Sequence, residues 1–570
     1  MNEPIISFKN YTFKYRAQSK PTLHDICLDI YPGEKILIAG PSGSGKSTLG
    51  SCINGLIPSQ YPGTAEGSLY IDGMDASQAG IFDLSKSVGT VLQDSDGQFI
   101  ALTVGEDIAF AMENDCVPQG EMISRVKEVS ELVDMQEHLG NAPYALSGGQ
   151  KQRVSLAGVL VDKVKILLFD EPLANLDPAA GKTTIELIDK IQKETDTTVI
   201  IIEHRLEDVL WRHVDRIILI DEGRIAADTT PDELLSSDIL IEKGVREPLY
   251  ITALKYAGVK ITPEMKPEHI DSLLLSDEEK RRMNDWFLSV KSPSEEPEAV
   301  PLLEVDGLTF AYDEGRNAVD NISFKVYPGE MLSIVGRNGA GKSTLAKLIC
   351  GFETPGSGRI TLGGRDISGD NIRKRAESIG YVMQNPNQMI SCNMIYDEVA
   401  LGIQKLGLTE EEIRERVEKA LTICGLYKFR NWPISALSYG QKKRVTIASI
   451  LVMGPEIIIL DEPTAGQDFR HYTEIMEFLR SLNRNGVTVI LITHDMHLML
   501  EYTKRALVFN KSHLVADTSA AEVLCTPALV EQAALKETSL FTLAERCGIE
   551  PPLDFVKRFI EYDREVRDNG

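Results

Sequence analysis

Several features are scarce or missing in this chain of 570 residues. No apolar run approaches the roughly 18 residues that span a bilayer, and the start lacks the basic and apolar segments of a secretory signal. The chain has eight scattered cysteines, at positions 27, 52, 116, 350, 392, 424, 525 and 547. Because no Cys-x-x-Cys pair is present, they suggest neither a zinc site nor a disulfide framework, and they fit a protein of the reducing cytoplasm. We expect the chain to meet membranes only through partners.

Basic residues are in the minority. The chain has 60 Lys and Arg against 85 Asp and Glu, which gives a formal net charge of -25. Because nucleic-acid backbones require clustered positive charge, this balance argues against non-specific nucleic-acid binding, and any phosphate site must be local. A hydrophobic content of 43% and a length beyond one core predict two or more folded domains.

A long repeat divides the chain. The segment GPSGSGKS, from Gly40 to Ser47, returns as GRNGAGKS, from Gly336 to Ser343. Residues 291–301 (KSPSEEPEAVP) have the composition of a linker. We predict three parts: a first module with a C-terminal tail (1–258), an inserted segment and linker (259–301), and a second module with its own tail (302–570).

Short apolar runs within each module predict buried parallel strands. Examples are Ile36–Ala39, Ile166–Phe169 and Val199–Ile202, separated by segments long enough for crossover helices. This alternation is typical of an α/β fold.

The two G-x-x-x-x-G-K-S segments predict phosphate-binding loops, because each follows an apolar strand and opens a helix. Glycines allow backbone N–H groups to point at phosphate oxygens, Lys46 and Lys342 would reach the β- and γ-phosphates of ATP, and Ser47 and Ser343 would bind Mg²⁺. The candidate nucleotide-binding residues of these loops are Gly40, Pro41, Ser42, Gly43, Ser44, Gly45, Lys46, Ser47 and Thr48, and Gly336, Arg337, Asn338, Gly339, Ala340, Gly341, Lys342, Ser343 and Thr344.

Paired carboxylates end a buried strand in each module. Asp170 and Asp461 match the strand-end carboxylate that holds Mg²⁺ through water. The adjacent Glu171 and Glu462 are then placed to polarise the attacking water, which predicts that they are catalytic.

The segment LSGGQ, from Leu146 to Gln150, resembles the signature of ATP-binding-cassette (ABC) ATPases. The resemblance implies two P-loop NTPase domains in tandem, each a RecA-like core with a helical signature subdomain. It also implies an intramolecular head-to-tail pairing, in which the signature of one cassette completes the ATP site of the other. The signature residues that would touch nucleotide are Ser147, Gly149, Ser438 and Gly440.

The same resemblance extends to three further pairs. Gln93 and Gln384 match the glutamine loop, which binds Mg²⁺ and senses the membrane partner. His204 and His494 match the switch histidine that contacts the γ-phosphate and serves catalysis. Tyr15 and Tyr312 match the aromatic residue that stacks on adenine, although a strand tyrosine is equally often part of a core.

The second signature departs from the first. It has LSYGQ, with Tyr439 where the first has Gly148. A bulky ring beside the γ-phosphate disturbs packing that glycine permits, so we hypothesise two unequal ATP sites. Both modules keep their Lys, Asp, Glu and His, and neither is expected to be inactive.

The wider pattern resembles the ATPases of energy-coupling-factor (ECF) importers, notably Gln98-Phe99, Val104–Phe110 and Glu203-His204-Arg205. This implies a peripheral ATPase on the cytoplasmic face of the membrane, bound to an integral scaffold (T component) and a substrate-binding membrane subunit (S component). The cargo would be a vitamin or its precursor, such as hydroxymethylpyrimidine or thiamine, or a metal ion.

Two alternatives stay open. One is a tandem ABC ATPase that acts on ribosomes or nucleic acid without a membrane partner. Residues 236–300 carry 13 acidic and 9 basic residues, which disfavours a basic arm of that kind. The other is an assembly factor that binds ATP without rapid turnover, which the two complete Glu and His sets disfavour.

Overall fold

The computed structural model describes residues 3–92, 95–174, 176–290, 300–313, 315–465, 467 and 469–569. The chain divides into two compact units, Met1–Met283 and Asn284–Gly570. The division lies inside the segment 259–301 that the sequence analysis assigns to an insertion and linker, whose boundaries remain a prediction. Among the described residues no helix is both long and apolar enough to cross a membrane.

The first unit is built on two sheets, as far as its residues are described. One is antiparallel, with the order β2-β1-β4-β5, and the other has the order β10-β9-β3-β8-β7-β6 and is parallel except for β10. The strands are β1 (Ile6–Tyr15), β2 (Leu23–Ile30), β3 (Lys35–Ala39), β4 (Gly63–Ile71), β5 (Met74–Asp75), β6 (Val88–Val91), β7 (Ile166–Asp170), β8 (Thr198–Ile202), β9 (Arg216–Asp221) and β10 (Arg224–Thr229).

Helices connect and flank these strands. They are α1 (Lys46–Ile53), α2 (Leu56–Ser59), α3 (Ile81–Ser85), α4 (Val104–Asn114), α5 (Gln119–Leu132), α6 (Gly148–Leu160), α7 (Pro178–Thr195), α8 (Leu206–Val209), α9 (Pro231–Leu235), α10 (Ile239–Glu242), α11 (Leu249–Tyr256) and α12 (Asp277–Ser289), the last of which contains the division between the units. Short 3-10 helices occur at Ser95–Gln98, Gln136–His138, Pro143–Ala145 and Pro263–Met265.

The second unit repeats this plan. Its described sheets have the orders β12-β11-β14-β15 and β16-β17-β18-β13-β19-β20, and the second is again parallel apart from its last strand. The strands are β11 (Leu303–Phe310), β12 (Val319–Val326), β13 (Met331–Gly336), β14 (Ser357–Leu362), β15 (Arg365–Asp366), β16 (Ile379–Val382), β17 (Ile457–Asp461), β18 (Thr488–Ile492), β19 (Arg505–Asn510) and β20 (His513–Ser519).

The helices of the second unit follow in the same sequence, with a longer helical end. They are α13 (Lys342–Cys350), α14 (Ile372–Arg375), α15 (Ile395–Ala400), α16 (Glu410–Ile423), α17 (Tyr439–Leu451), α18 (Phe469–Arg484), α19 (Met496–Tyr502), α20 (Ala520–Cys525), α21 (Pro527–Ala533), α22 (Ser539–Cys547) and α23 (Pro552–Asn569). Short 3-10 helices occur at Pro386–Gln388, Tyr427–Phe429 and Ile434–Ala436.

The predicted buried strands are confirmed. All residues of β3 and β8 are buried, and β3, β7 and β8 lie side by side and parallel. Because both faces of these strands are covered, their sequences are continuous apolar runs rather than alternating ones. The core of the first unit lies between the two sheets, where residues of β3, such as Ile36 and Ile38, share a cluster with Phe8 and Phe13 of β1.

The segment that follows the first module is folded. Tyr250 of α11 donates a hydrogen bond from its hydroxyl to the Pro267 carbonyl at 2.6 Å, and Oε1 of Glu268 lies 2.8 Å from Nδ1 of His213. Leu273 is fully buried. Residues 259–273 therefore pack against the first unit instead of forming an open connection.

Residues at the start of the second unit pack on its C-terminal helices. The ring centroids of Trp286 and Phe555 are 5.7 Å apart, and Arg558 donates to the Phe287 carbonyl at 2.7 Å. The second half of α12 is thus held by aromatic packing on α23.

Candidate nucleotide sites

Each predicted phosphate loop joins a central strand to a helix, as the sequence pattern requires. The first runs from the end of β3 to α1, which begins at Lys46 after Gly45. Gly40 has φ 146°, and a Cβ placed there would lie 2.1 Å from the carbonyl oxygen of Ile220. In the second loop, a Cβ on Gly336 would lie 2.0 Å from the Phe509 carbonyl oxygen. Only glycine fits these two positions.

The loop lysines have the same geometry in both units. Nζ of Lys46 donates to the carbonyls of Gly40 and Pro41 at 2.8 and 2.9 Å. Nζ of Lys342 donates to the carbonyls of Gly336 and Arg337 at 2.7 and 2.9 Å. Each buried ammonium is therefore held at the mouth of its own loop, where a phosphate is expected.

The aromatic residues predicted to stack on adenine lie beside these loops. The Tyr15 hydroxyl shares a hydrogen bond of 3.0 Å with Oγ1 of Thr48, and the Tyr312 hydroxyl shares one of 3.4 Å with Oγ1 of Thr344. Both rings also pack edge-on against a strand phenylalanine. Each tyrosine is thus fixed to the helix that follows its phosphate loop, and adenine stacking stays a prediction.

The strand-end carboxylates Asp170 and Asp461 lie at the ends of β7 and β17. Burial raises the pKa of both, and Lys46 partly offsets this effect at Asp170. The two aspartates differ in their hydrogen bonds. The Tyr381 hydroxyl donates to Oδ2 of Asp461 at 2.9 Å, whereas Oδ1 of Asp170 is buried and has no hydrogen-bond partner among the described residues. An orphaned buried carboxylate oxygen fits a divalent cation.

The adjacent glutamates Glu171 and Glu462 have left-handed backbones, with φ 50° and 44°. Such conformations are uncommon outside glycine and cluster at functional sites. In the second unit Oε1 of Glu462 lies 2.7 Å from Nδ1 of His494. Strands β17 and β18 thus bring the predicted base and the predicted switch histidine into direct contact.

The first unit has a different arrangement at the same point. Nδ1 of His204 lies 3.0 Å from Oε1 of Glu203, a fully buried carboxylate at the end of β8. Burial alone would lower the pKa of His204, but the Glu203 carboxylate outweighs it and raises that pKa. Burial also raises the pKa of Glu171, which the nearby His204 partly offsets.

The signature serines are N-cap residues. Ser147 accepts a hydrogen bond from the Gln150 N–H and begins α6, and Ser438 accepts one from the Gln441 N–H and begins α17. Gly149 and Gly440 lie in the first turn of these helices, where N–H groups point outward. The expected helix start at each signature is confirmed, and its contact with nucleotide remains a prediction.

In the second unit the signature helix is tied to the glutamine loop. The Tyr439 hydroxyl donates to the Gln384 carbonyl at 3.2 Å, and Nζ of Lys443 donates to the carbonyls of Met383 and Gln384, each at 2.8 Å. Lys443 is 1% exposed, and burial lowers its pKa to about 8. The matching Gln93, together with Asn175, Gly466 and Asp468 of the loops after the glutamates, lies outside the described residues.

Sequence reasoning assigned no role to Glu203, Tyr381 or Lys443. Each stands where the other copy has a different residue: Glu203 opposite Thr493, Tyr381 opposite Thr90, and Lys443 opposite Gln152. A residue-by-residue comparison of the two copies would have revealed them, because all three flank motifs that were recognised.

The fold and the paired phosphate loops define each unit as a P-loop nucleoside triphosphatase. Residues 23–174 and 319–465 match the family described as ABC transporter, and residues 237–310 match one described as ATP-binding cassette cobalt transporter. The chain belongs to the ATP-binding proteins of the ABC transporter family, and it is therefore an ATPase.

Relatives match along the whole chain. Proteins described as putative ABC transporter ATP-binding proteins from Clostridium perfringens and Enterococcus faecalis are each 58% identical, covering 99% and 100% of this chain and the same shares of their own. A solved structure of cbiO1 from Clostridium perfringens, described as part of the ABC transporter complex cbiONQ, is 37% identical over 40% of this chain and 93% of that chain, with a TM-score of 0.38.

Proposed function

We propose that this chain powers an ECF-type membrane importer by hydrolysing Mg²⁺-ATP in both modules. The observation that carries the proposal is the duplicated catalytic cluster. In each unit the described structure brings a phosphate-loop lysine near a strand-end aspartate, and a glutamate and a histidine follow on neighbouring strands. A module that only bound ATP would have no use for two complete sets.

The metal ligands proposed for the first module are Ser47 and Asp170, with Gln93 from the glutamine loop. The matching set in the second module is Ser343, Asp461 and Gln384. The partnerless buried oxygen of Asp170 supports this assignment. A Mg²⁺ ion held by these residues would supply positive charge that offsets the negative charge developing on the phosphate.

The protein groups would then act on the γ-phosphate and on water. Lys46 and Lys342, now bonded to loop carbonyls, would exchange those bonds for phosphate oxygens without leaving the loop. Glu171 and Glu462 would accept a hydrogen bond from the attacking water, and His204 and His494 would contact the γ-phosphate. The signatures of the two cassettes would complete each other's sites, as the family resemblance implies.

Exposed apolar side chains support a membrane partner for the first unit. Leu102 is 83% and Tyr144 87% exposed. Their two loops are joined by a hydrogen bond of 2.9 Å from the Val104 N–H to the Asn141 carbonyl. Exposed apolar side chains on two joined loops fit contact with a scaffold protein.

Two observations bear on the cargo class. The match of residues 237–310 to a cobalt-transporter family favours a metal ion, while the motif likeness favours a vitamin or its precursor. In either case the chain would lie on the cytoplasmic face of the membrane, held there by a T component and an S component.

Affinity purification of the tagged full-length protein from detergent-solubilised membranes tests this proposal. We expect two small polytopic proteins to co-purify, and the S component would then identify the cargo. Recovery of ribosomes or DNA-bound proteins, with no membrane protein, would overturn the importer assignment and leave the ATPase chemistry standing.

A matched pair of variants makes the test specific to the surface. Leu102→Asp should abolish co-purification and leave ATP turnover of the isolated protein unchanged. Ile241→Asp, a change at an apolar side chain of α10 that is 59% exposed, should leave both unchanged. Equal recovery with Leu102→Asp and with the unaltered chain would exclude this loop from the interface.

A further inference from the structure

Glu203 is the most deeply buried charge next to the catalytic cluster of the first unit. Glu203 follows β8 directly and is 0% exposed. Among the described residues it forms no salt bridge with a lysine or an arginine, and its ion-pair partner is His204. An ionised carboxylate so placed is costly unless several donors satisfy it. The nature of those donors therefore shows what the residue does.

The donors come from two separate segments. Oε1 accepts the backbone N–H groups of His204 and Arg205 at 2.8 and 3.2 Å and lies 3.0 Å from Nδ1 of His204. Oε2 accepts the N–H of Leu173 at 3.2 Å. Leu173 belongs to the loop that follows Glu171, so one carboxylate joins the histidine to the loop that carries the proposed base.

These donors keep the carboxylate ionised. Burial works against ionisation, but His204, Arg205 and the backbone bonds lower the pKa of Glu203. A second bond closes the same connection from the other side, because the Arg205 guanidinium donates to the carbonyl of Leu173. The segment that contains the histidine is thus joined to the loop by two hydrogen bonds, one from Glu203 and one from Arg205.

The second unit differs at the position that matches Glu203. Thr493 occupies the matching position, and its hydroxyl donates to Oε2 of Glu462 at 3.4 Å. Nδ1 of His494 is 2.7 Å from Oε1 of the same Glu462. In the second unit, Nδ1 of His494 therefore contacts the proposed base, Glu462. In the first unit, Nδ1 of His204 contacts Glu203, a carboxylate that is separate from the proposed base.

We propose that Glu203 is a positioning residue for ATP hydrolysis, which holds His204 at Nδ1 and so sets the orientation of its ring. A carboxylate behind a histidine fixes the tautomer and the ring, and leaves Nε2 to face the substrate. In the second unit the proposed base Glu462 itself contacts Nδ1 of the histidine. This inference rests on the proposed roles of Glu171 and His204.

The test is a double-mutant cycle of Glu203→Gln and His204→Ala in the full chain that also carries Glu462→Gln, which removes the proposed base of the second module so that turnover reports on the first; kcat and KM for ATP are measured for each variant. If Glu203 acts through His204, Glu203→Gln should lower this kcat about tenfold with little change in KM. The same substitution should have no further effect once His204 is alanine. Equal losses in both backgrounds would reduce Glu203 to a structural role and overturn the inference.

Two controls keep the outcomes separate. Glu247→Gln removes another buried carboxylate of the same unit, which is 5% exposed and paired with Lys255, and should leave kcat unchanged. If Glu203→Gln does not fold, the cycle is repeated with Glu203→Thr, because threonine is the residue at the matching position 493 of the second unit. Unchanged turnover in both His204→Ala and Glu171→Gln would instead refute the proposed catalytic roles themselves.

Discussion

Lys443 offers the sharpest test of how the second unit holds its glutamine loop. Its ammonium donates two hydrogen bonds of 2.8 Å to backbone carbonyls of that loop, and the side chain is 1% exposed. Two charge-assisted bonds contribute about 3–6 kcal/mol. Against this, a pKa lowered from 10.5 to about 8 corresponds to a net cost of about 3 kcal/mol for the charged form, in which burial outweighs the attraction of Asp461 and Glu462.

These opposing effects make the expected result of Lys443→Met specific. Because the loss of the bonds and the relief of desolvation nearly cancel, the free energy of unfolding should change by less than about 3 kcal/mol. The loop, however, loses its only described ammonium anchor to Met383 and Gln384. We expect local opening to become easier by about 2 kcal/mol, which is roughly 30-fold faster amide exchange.

Hydrogen exchange resolved by mass spectrometry is the assay, together with thermal unfolding. The reporters are the amides of Gln388 and Met389, which donate to the carbonyls of Asn385 and Pro386. Lys442→Met is the matched control, since Nζ of Lys442 contacts only the side chain of Asn387 in this loop, at 3.3 Å. Unchanged exchange in Lys443→Met, or a large fall in Tm with no local effect, would refute the reasoning.

Three further predictions follow from the site and its surroundings. Glu171→Gln and Glu462→Gln should each reduce steady-state ATP turnover, by unequal factors because the two histidines have different partners; equal losses would argue against unequal sites. Gly40→Ala should halve the number of fluorescent ATP analogues bound per chain, because its Cβ in the first loop would lie 2.1 Å from a carbonyl oxygen, while Gly73→Ala, where nothing lies within 4 Å, should lower stability by about 1 kcal/mol and retain full binding. Burial raises the pKa of the Glu247 carboxyl despite its bond to Lys255, so the folded state binds the carboxyl proton more tightly than the unfolded state. The contribution of Glu247 to stability therefore falls as the pH rises above about 4.5. Glu247→Gln should raise Tm at pH 7 and lose this advantage at pH 4, and a constant difference in Tm across that range would contradict the raised pKa.

The parts of the fold that could be predicted from the sequence are those whose pattern lies in residues close together along the chain. The runs at β3, β7 and β8 are apolar throughout because both faces are buried, and the glycines at 40 and 336 belong to a short motif that is recognised from adjacent residues. The lysines and carboxylates at strand ends followed from the same topology, since parallel strands end at one edge of a sheet.

The parts that could not be predicted depend on contacts between distant segments. The bond of Glu203 to the Leu173 N–H joins residues that are 30 positions apart, and that of Tyr381 to Asp461 joins residues 80 apart. The folded segment 259–273 was equally hidden, because its apolar residues are sparse and only the structure shows that they are buried and that Pro267 and Glu268 bond to Tyr250 and His213. Local periodicity carries no information about such pairs.

The positions at which the two modules differ support two nucleotide sites that bind ATP similarly but hydrolyse it at different rates. The phosphate loops have the same lysine geometry to within 0.1 Å, so both modules should take the same nucleotide in the same way. The differences that change polar contacts surround the base instead: Glu203 against Thr493 at the histidine, Tyr381 against Thr90 at the aspartate, and Lys443 against Gln152 at the signature helix. If Glu171 and Glu462 act on water as proposed, substitutions at these three positions should change the rate of hydrolysis more than the affinity for ATP. We therefore expect the two sites to differ in turnover rather than in nucleotide affinity.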